Sequence, residues 1–305
     1  VPVPLLTGYS TSLQNLGKVN NRGWELALTS QHTFANGFGY SFNANYAKNT
    51  NEVKELGPGN APIISSGSVG HAYYITEVGK PIGNYYLLVQ DGIFATEEDL
   101  KKYPHFDNTE VGDFRFVDVD GDGKLDLDKD RTICGNYMPK FTYGFGGKLW
   151  YAGFDMDFNF QGVYGNKILN LNKRYLDNME GNTNGTKIAL DRWKSPENPG
   201  SGSVNKASRK QTGYNSRTST WHLESGSYLR LQNLSLGYTL PRALTQKFKV
   251  EKMRVYVSGQ NLFTITNYSG YNPEVNARPS KNLTPGEDYG TYPLARTYMF
   301  GLNLT

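Results

Sequence analysis

The sequence predicts an all-β protein, an antiparallel β-barrel that spans a membrane. Three observations support this fold class. Apolar and polar residues alternate along several segments, these segments are about ten residues long, and short connections alternate with long ones. The composition agrees, since the 305 residues include 22 tyrosines, 15 phenylalanines and 34 glycines, a balance that favours strands and turns over helices. No run of about eighteen apolar residues occurs, so no transmembrane helix is expected.

Segment 154–161 shows the alternation most clearly. Its even positions carry apolar side chains and its odd positions carry polar ones. The polar set consists of Asp155, Asp157, Asn159 and Gln161. Segments 38–46 and 297–304 alternate in the same way, except at Met299. Period two with one apolar face is typical of a half-buried strand, and both soluble sheets and lipid-embedded barrels with a wet interior contain such strands.

The connections between strands distinguish these two environments. The expected strands are 22–31, 36–49, 70–77, 83–93, 141–151, 154–163, 227–240, 252–265 and 294–305. A tight turn at Ala152-Gly153 joins two of them. The long connections are 51–69, 94–140, 164–226 and 267–292. Compact soluble domains rarely carry several loops this long, whereas outer-membrane barrels combine short periplasmic turns with long extracellular loops.

Strand parity predicts the orientation of this barrel. If the first strand runs inward, every long connection falls outside and the last strand ends at the periplasm. Nine strands form an open wall, which lipid does not tolerate. We therefore expect the rest of the barrel before Val1, where the chain opens as if cut from a longer one. Within 228–236 the leucines change phase, which predicts a β-bulge near Gln232-Asn233.

Several function classes are excluded by composition and spacing. The net charge of +4 is mild and the basic residues are scattered, so no nucleic-acid partner is expected. The single cysteine, Cys134, permits neither a disulfide framework nor a thiolate metal cluster. The histidines are His32, His71, His105 and His222. They have neither metal-ligand nor triad spacing, so we expect a protein that is not an enzyme.

The acidic stretch 118–130 is the strongest candidate site. Its D-x-D-x-D-G pattern matches the first half of an EF-hand-type calcium loop. The expected ligands are Asp118, Asp120, Asp122, the backbone carbonyl of Lys124, Asp126 and Asp130. Position 12 is Lys129, which cannot bind Ca²⁺, and Asp130 follows one residue late. The closing ligand therefore requires a small bulge or comes from elsewhere, and the alternative interpretation is a solvated acidic turn without an ion.

The surroundings of this stretch point to a structural ion. Segment 114–117 before it is strand-like, so the loop lies on a β scaffold and lacks the flanking helices of a calcium sensor. We expect the Ca²⁺ to hold the 94–140 loop in one shape.

Several sequence blocks follow one another in a characteristic order along the chain. They are Asn15-Leu-Gly17, Asn21-Arg-Gly23-Trp-Glu25, Gly79-Lys-Pro-Ile-Gly-Asn-Tyr-Tyr86, Asp91-Gly-Ile-Phe94, Gly112-Asp-Phe-Arg-Phe116, Asp130-Arg131, Gly135-Asn-Tyr-Met-Pro-Lys-Phe-Thr-Tyr-Gly144, Phe160-Gln-Gly-Val-Tyr-Gly-Asn166, Tyr228-Leu-Arg-Leu-Gln-Asn-Leu-Ser-Leu-Gly-Tyr238, Val257-Ser-Gly-Gln-Asn-Leu-Phe263 and Pro293–Thr305. In these blocks the chain resembles, essentially end to end, the SusC/RagA class of TonB-dependent outer-membrane transporters from Bacteroidetes-type bacteria.

This resemblance implies the C-terminal part of a larger barrel of about 22 strands, with the plug domain and the TonB-contacting segment upstream. It implies active import of an oligosaccharide or peptide across the outer membrane, driven by TonB, with a SusD-like surface lipoprotein over the extracellular mouth. The four polar residues of 154–161 then face the lumen and are candidates for substrate contact, although solvation of a wet interior is the simpler interpretation. In the family the acidic loop is usually one residue shorter between Asp126 and Asp130.

A second hypothesis is a soluble, calcium-dependent β-sandwich that binds carbohydrate on a cell surface. It accounts for the acidic loop and the aromatic residues but not for the alternation of short and long loops. Trp150, Tyr151 and Trp193 are possible sugar-stacking residues. For each of them, a place in an interfacial girdle or in loop packing is the expected role.

Overall fold

The computed structural model describes residues 17–69, 71–180, 184–210 and 215–305. Asn15 and Leu16 of the first sequence block, and Gly70 of an expected strand, lie outside these residues. The described chain forms sixteen strands: β1 (Gly17–Thr33), β2 (Gly39–Leu56), β3 (Ile63–Ser66), β4 (Tyr73–Thr76), β5 (Asn84–Leu88), β6 (Gln90–Ile93), β7 (Phe114–Phe116), β8 (Arg131–Ile133), β9 (Phe141–Tyr151), β10 (Phe154–Tyr164), β11 (Lys167–Asn170), β12 (Leu223–Ser225), β13 (Tyr228–Thr239), β14 (Met253–Thr266), β15 (Glu287–Asp288) and β16 (Thr297–Leu304).

Helices are few and short. They are α1 (Glu97–Lys102), α2 (Lys173–Leu176) and α3 (Arg242–Thr245), with 3₁₀ turns at Pro58–Asn60, Lys187–Asp191, Thr220–His222 and Gln246–Phe248. The α1 helix begins at a capping box formed by Thr96 and Asp99. Within the described ranges, no helix has the length and apolar character needed to cross a membrane. The predicted all-β class is confirmed.

A seven-stranded antiparallel sheet dominates the structure, in the order β1-β2-β9-β10-β13-β14-β16. Side chains alternate between its two faces, and the apolar ones form rows across the strands. One row consists of Tyr40, Leu149, Met156, Leu236, Val257 and Phe300. This face is uncovered, since Phe154 is 64% and Phe300 85% exposed. Such a surface does not fit a soluble sandwich, whose apolar faces pack on each other.

The β-bulge expected near Gln232-Asn233 is present. In the β10–β13 ladder, Asn159 pairs with Asn233, while the next residue, Phe160, pairs with Leu231. Gln232 is therefore the extra residue, and it restores the alternation on either side.

The prediction is wrong for two of the expected wall strands. Segments 70–77 and 83–93 form only β4, β5 and β6, which are four or five residues long and lie outside the large sheet. β4 and β5 belong to a four-stranded sheet (β3-β4-β5-β8), and β6 pairs with β7. A membrane-spanning strand needs about nine to eleven residues. Most residues of β4 and β5 are buried, so these two strands are covered on both faces. The described residues therefore contribute seven strands to the wall, with one long excursion between β2 and β9.

Short and long connections lie at opposite ends of the sheet. The short ones join β1 to β2, β9 to β10 and β13 to β14. The long ones, 57–140, 165–227 and 267–296, all leave from the other end. Together the described parts of these three segments form what we call the loop layer. The predicted alternation of loop lengths is thus retained with seven strands.

The buried hydrophobic clusters of the described residues lie in the loop layer. One buried cluster joins the first and second long segments through Ala72, Tyr74, Tyr85, Leu87, Leu169 and Leu171. A second consists of Leu88, Ile93, Phe106, Phe114 and Phe116, with Trp193 and Trp221 packed against it. The Tyr85 hydroxyl lies 3.0 Å from the carbonyl oxygens of both Lys167 and Gly286, so it contacts all three segments.

Candidate functional site: the acidic turn, the polar sheet face and the loop layer

The acidic stretch forms a turn that begins after β7 and ends at β8. Carboxylate oxygens of Asp118, Asp120 and Asp130 lie within 4.8 Å of one another. Both oxygens of Asp118 accept backbone N–H groups, from Gly121 at 2.7 Å and Gly123 at 2.8 Å. Three of the six expected ligands are therefore brought together around one point.

Asp130 reaches this point despite its late position in the sequence. Its amide donates to the carbonyl of Asp126 at 3.1 Å, so a single helical turn takes up the extra residue. The Asp130 carboxylate is fully buried and accepts from the amides of Val119 at 2.8 Å and Asp126 at 2.6 Å. Several carboxylate oxygens converging in this way are ligands of the kind that Ca²⁺ prefers, so the residues present fit the ion.

Asp122 and Asp126 lie outside this group of three. One Asp122 oxygen accepts from the amide of Lys124 at 2.9 Å, and the other lies 3.6 Å from Lys129 Nζ. The Asp126 carboxylate accepts the amides of Asp128 and Lys129, which holds its pKa below the usual value. These two side chains shape the turn, and the expected role of the Lys124 carbonyl stays a prediction.

The acidic turn is attached to the loop layer on both sides. Leu125 and Leu127 pack against the second buried cluster. Arg131, directly after the turn, places its guanidinium 3.7 Å from the centre of the Tyr73 ring and bonds Asp128 at 3.1 Å. The conformation of the turn is therefore coupled to the packing around it.

The four polar residues of 154–161 share one face of β10, opposite the apolar rows. In the neighbouring strands, Asp157 pairs with Lys148 and Ser235, and Gln161 pairs with Gly144 and Arg230. Asn159 pairs with Gly146 and Asn233. The strand-to-strand rows on this face are thus polar or glycine-rich over the middle of the sheet.

Asp155 is the most constrained of the four. Arg254 on β14 binds it through two contacts of 2.9 and 2.6 Å. The guanidinium crosses β13 above Gly237, where a Cβ would lie 2.3 Å from Arg254 Nη2. Asp155 therefore joins strands two places apart in the sheet, which favours a structural role over substrate contact.

Sequence reasoning missed two arginines on the same face. Arg230 is buried and bonds Thr264 at 2.9 Å, Asn272 at 2.7 Å and the carboxylate of Glu274. It thereby connects β13 to the third long segment. Period-two numbering of 227–240 and 252–265, corrected for the bulge, places Arg230 and Arg254 on the polar face, so the signal was available in the alternation.

Buried ionisable groups of the loop layer were also missed. Glu287 is fully buried and accepts from the Ser68 amide at 3.0 Å, the Ser68 hydroxyl and the Tyr74 hydroxyl at 3.0 Å. Burial raises the pKa of Glu180 to about 7 and lowers the pKa of His222 to about 3. Isolated Glu and His residues in long polar segments carry no periodic signal, so the sequence could not single them out.

The aromatic candidates have different environments. Trp150 lies on the polar face and covers Gly39, whose Cβ would be 2.2 Å from the indole. Tyr151 is exposed on the apolar face. Trp193 packs in the loop layer and donates to the carbonyl of Ala95 at 3.3 Å. A girdle position therefore fits Tyr151, and loop packing fits Trp193.

This chain is similar to known TonB-dependent receptors along its whole length. No family model matches the chain. A TonB-dependent receptor, P3, of Formosa agariphila is 34% identical over 316 residues, which cover 99% of this chain and 30% of the relative. The TonB-dependent receptor SusC of Bacteroides thetaiotaomicron is 26% identical over 310 residues, which cover the whole chain and 28% of the relative.

Solved structures agree with these relatives. A chain of the RagAB peptide importer in its open-open state superposes with a TM-score of 0.77 at 25% identity, covering all of this chain and 30% of the other. A RagAB peptide transporter structure gives a TM-score of 0.75. The chain spans about a third of the length of these proteins. From end to end, it is similar to a stretch of the transmembrane β-barrel of SusC/RagA-type TonB-dependent receptors, as the sequence blocks predicted.

Proposed function

We propose that the full-length protein imports a nutrient across the outer membrane of a Gram-negative, Bacteroidetes-type bacterium. The observation that carries this proposal is the whole-chain similarity to TonB-dependent receptors and to a peptide importer. The two faces of the sheet support it, because an uncovered apolar face suits lipid and a polar face suits a wet lumen. In this proposal the seven strands are barrel wall, and the loop layer is extracellular.

The same similarity supports the proposed partners. TonB would supply the energy for import, and a SusD-like surface lipoprotein would cover the loop layer. The cargo is an oligosaccharide or a peptide. One solved relative is named a peptide importer, and none of the contacts described above recognises one class over the other. The relatives are named receptors and transporters, in keeping with a protein that is not an enzyme.

Uptake by cells tests this proposal. Cells that express the full-length protein and its neighbouring lipoprotein should accumulate a labelled oligosaccharide or peptide mixture. Uptake should disappear when TonB is inactivated, and the protein should fractionate with the outer membrane. TonB-independent accumulation, or a protein recovered in the aqueous fraction, would contradict the proposal.

We further propose that Asp118, Asp120 and Asp130 hold a structural Ca²⁺ ion. The convergence of their carboxylates within 4.8 Å supports this, because unpaired carboxylates so close repel one another. The ion would fix the turn between β7 and β8, and the loop layer around it, in one conformation. A Lys in place of the closing Glu suits modest affinity, in the range of extracellular calcium modules.

Calcium titration of the full-length barrel by calorimetry tests this site. Binding should be lost in the double variant Asp118→Asn/Asp120→Asn and retained in Asp107→Asn, which removes one exposed carboxylate from the same long segment. Absence of binding at about millimolar calcium would refute the site. Equal loss in the control variant would show that the effect is not local.

A further inference from the structure

A row of stacked aromatic rings crosses the apolar face at the end of the sheet nearest the loop layer. Trp24 and Tyr46 have ring centres 4.9 Å apart, Tyr46 and Phe141 5.1 Å, and Phe141 and Tyr164 4.9 Å. The row runs over β1, β2, β9 and β10. Aromatic rows of this kind lie at the level of lipid headgroups in membrane barrels, so this row marks the boundary of the hydrocarbon region.

Basic side chains occupy the same face at and just beyond this row. Lys48 on β2 pairs directly with Trp24, and Arg22 on β1 pairs with Thr50. Both cations are exposed. They line a groove of about 450 Å³ whose other walls are Asn20, Gly23, Trp24, Thr50, Glu52 and Lys54. The groove therefore lies on the outer surface of the wall, next to the aromatic row.

Arg22 and Lys48 differ from Lys54 in their charge environment. Lys54 is paired with Glu52 at 2.6 Å. In the described part of the chain, Arg22 and Lys48 make no ion pair with a carboxylate. They are diagonal neighbours across the ladder, a spacing of about 7–8 Å between backbones. Their long side chains can therefore converge on one phosphate, which Arg binds through two parallel N–H groups.

Apolar surface continues from the groove toward the middle of the sheet. Leu26 and Leu28 follow Trp24 on the same face of β1 and are 50% and 58% exposed. A ligand that lies along this surface meets cations first, then an indole, then aliphatic side chains. That order matches a lipid molecule with an anionic headgroup and acyl chains.

We propose that Arg22 and Lys48 bind the phosphate of an outer-leaflet lipid headgroup, with the acyl chains of that lipid lying against Leu26 and Leu28. The site rests on the membrane orientation given under the proposed function. It fixes one annular lipid at β1–β2 and anchors this edge of the aromatic row at the membrane surface.

Lipid binding to the detergent-solubilised full-length protein tests the proposal. The probes are a diphosphorylated lipid A, the same lipid after enzymatic dephosphorylation, and inorganic phosphate. The variant is Arg22→Gln/Lys48→Gln. The control, Lys148→Gln/Lys187→Gln, removes two exposed cations from the polar face and the loop layer. Binding is measured by native mass spectrometry at fixed lipid concentrations.

Each lost charge should weaken binding of the diphosphorylated lipid about fivefold, and the double variant about thirtyfold. The control variant should bind the diphosphorylated lipid within twofold of wild type. Wild type should bind the dephosphorylated lipid as weakly as the double variant binds the diphosphorylated lipid. Inorganic phosphate should not compete at equal concentration. Unchanged binding by the variant, equal binding of both lipids, or equal loss in the control would overturn the site. If the double variant lost association with an acidic partner protein but bound the lipid as wild type does, the lipid site would also be overturned.

This measurement is independent of transport. If the lipid site fails, TonB-dependent uptake by wild-type cells still stands. If uptake fails while the phosphate-dependent lipid binding persists, the proposed import function is wrong and the lipid site remains.

Discussion

The buried carboxylate of Glu287 makes a quantitative prediction at Tyr74. Both residues are fully buried, and the Tyr74 hydroxyl donates to Glu287 Oε1 at 3.0 Å. Burial, with Glu287 nearby, raises the pKa of Tyr74 far above its usual value, so the hydroxyl keeps its proton. This bond connects β4 in the first long segment to β15 in the third, and the Ser68 amide of the same first segment donates to the same carboxylate.

Tyr74→Phe removes that bond and keeps the ring. A hydrogen bond to a buried charged group contributes about 1.5–3 kcal/mol. Its loss leaves the Glu287 carboxylate with the amide and hydroxyl of Ser68 as donors. Taking about 2 kcal/mol, the free energy of local opening falls enough to raise the population of the open state about thirtyfold.

Amide hydrogen exchange of the full-length protein in detergent measures this change. Peptides that cover 73–76 and 286–288 should exchange about thirtyfold faster in Tyr74→Phe, while peptides from β9 and β10 should not change. Tyr86→Phe is the matched control, because its hydroxyl bonds no carboxylate in the described residues and its ring contact with Arg131 survives. If exchange at 73–76 and 286–288 stays within twofold of wild type, the Glu287 bond does not hold the loop layer together.

Two further perturbations follow from the same structure. Burial raises the pKa of Glu180 to about 7 from a usual 4.5, so the contribution of this group to folding stability is present below about pH 4 and is lost as the pH rises through 7. Glu180→Gln should remove this decline and raise the free energy of unfolding by about 2–3 kcal/mol at pH 8, measured as thermal midpoints across pH 4–8. Parallel pH profiles of wild type and variant would contradict this assignment. Gly237→Ala should displace the Arg254 guanidinium and break both contacts to Asp155, lowering the heat-denaturation midpoint of the barrel on gels by a few degrees (about 1 kcal/mol). Asp155→Asn removes the same ion pair without the clash, so a smaller loss there measures the steric part, and an unaltered midpoint in both variants would show that the pair contributes nothing.

Most of the wall could be predicted from period two alone. The segments 141–151 and 154–163 match β9 and β10 to within one residue, and the bulge at Gln232 was visible as a change of phase. These strands have one apolar and one polar face, so each residue reports its side. β1 and β2 run to 17 and 18 residues, longer than expected, because their ends continue past the aromatic row.

The two segments wrongly predicted as wall strands, 70–77 and 83–93, do not have the alternating pattern of the wall. Segment 84–88, Asn-Tyr-Tyr-Leu-Leu, is almost continuously apolar and only five residues long, a pattern typical of a strand buried on both faces. Its length was the signal that could have excluded it from the wall. In the acidic stretch, which carboxylates converge depends on a turn at 126–130 that the ligand spacing does not encode.

The location of the core in the loop layer has a consequence for how the sheet finds its pairing. A slip of two residues between neighbouring wall strands keeps every apolar side chain on the same face, so the alternation cannot reject it. Such a slip moves the attached segments by about 7 Å, which would separate Leu169 from its partner Glu287 and open the buried cluster around Tyr85. The loop layer therefore acts as a check on strand alignment that the wall itself cannot provide, and only a correctly paired sheet brings the three parts of the core together.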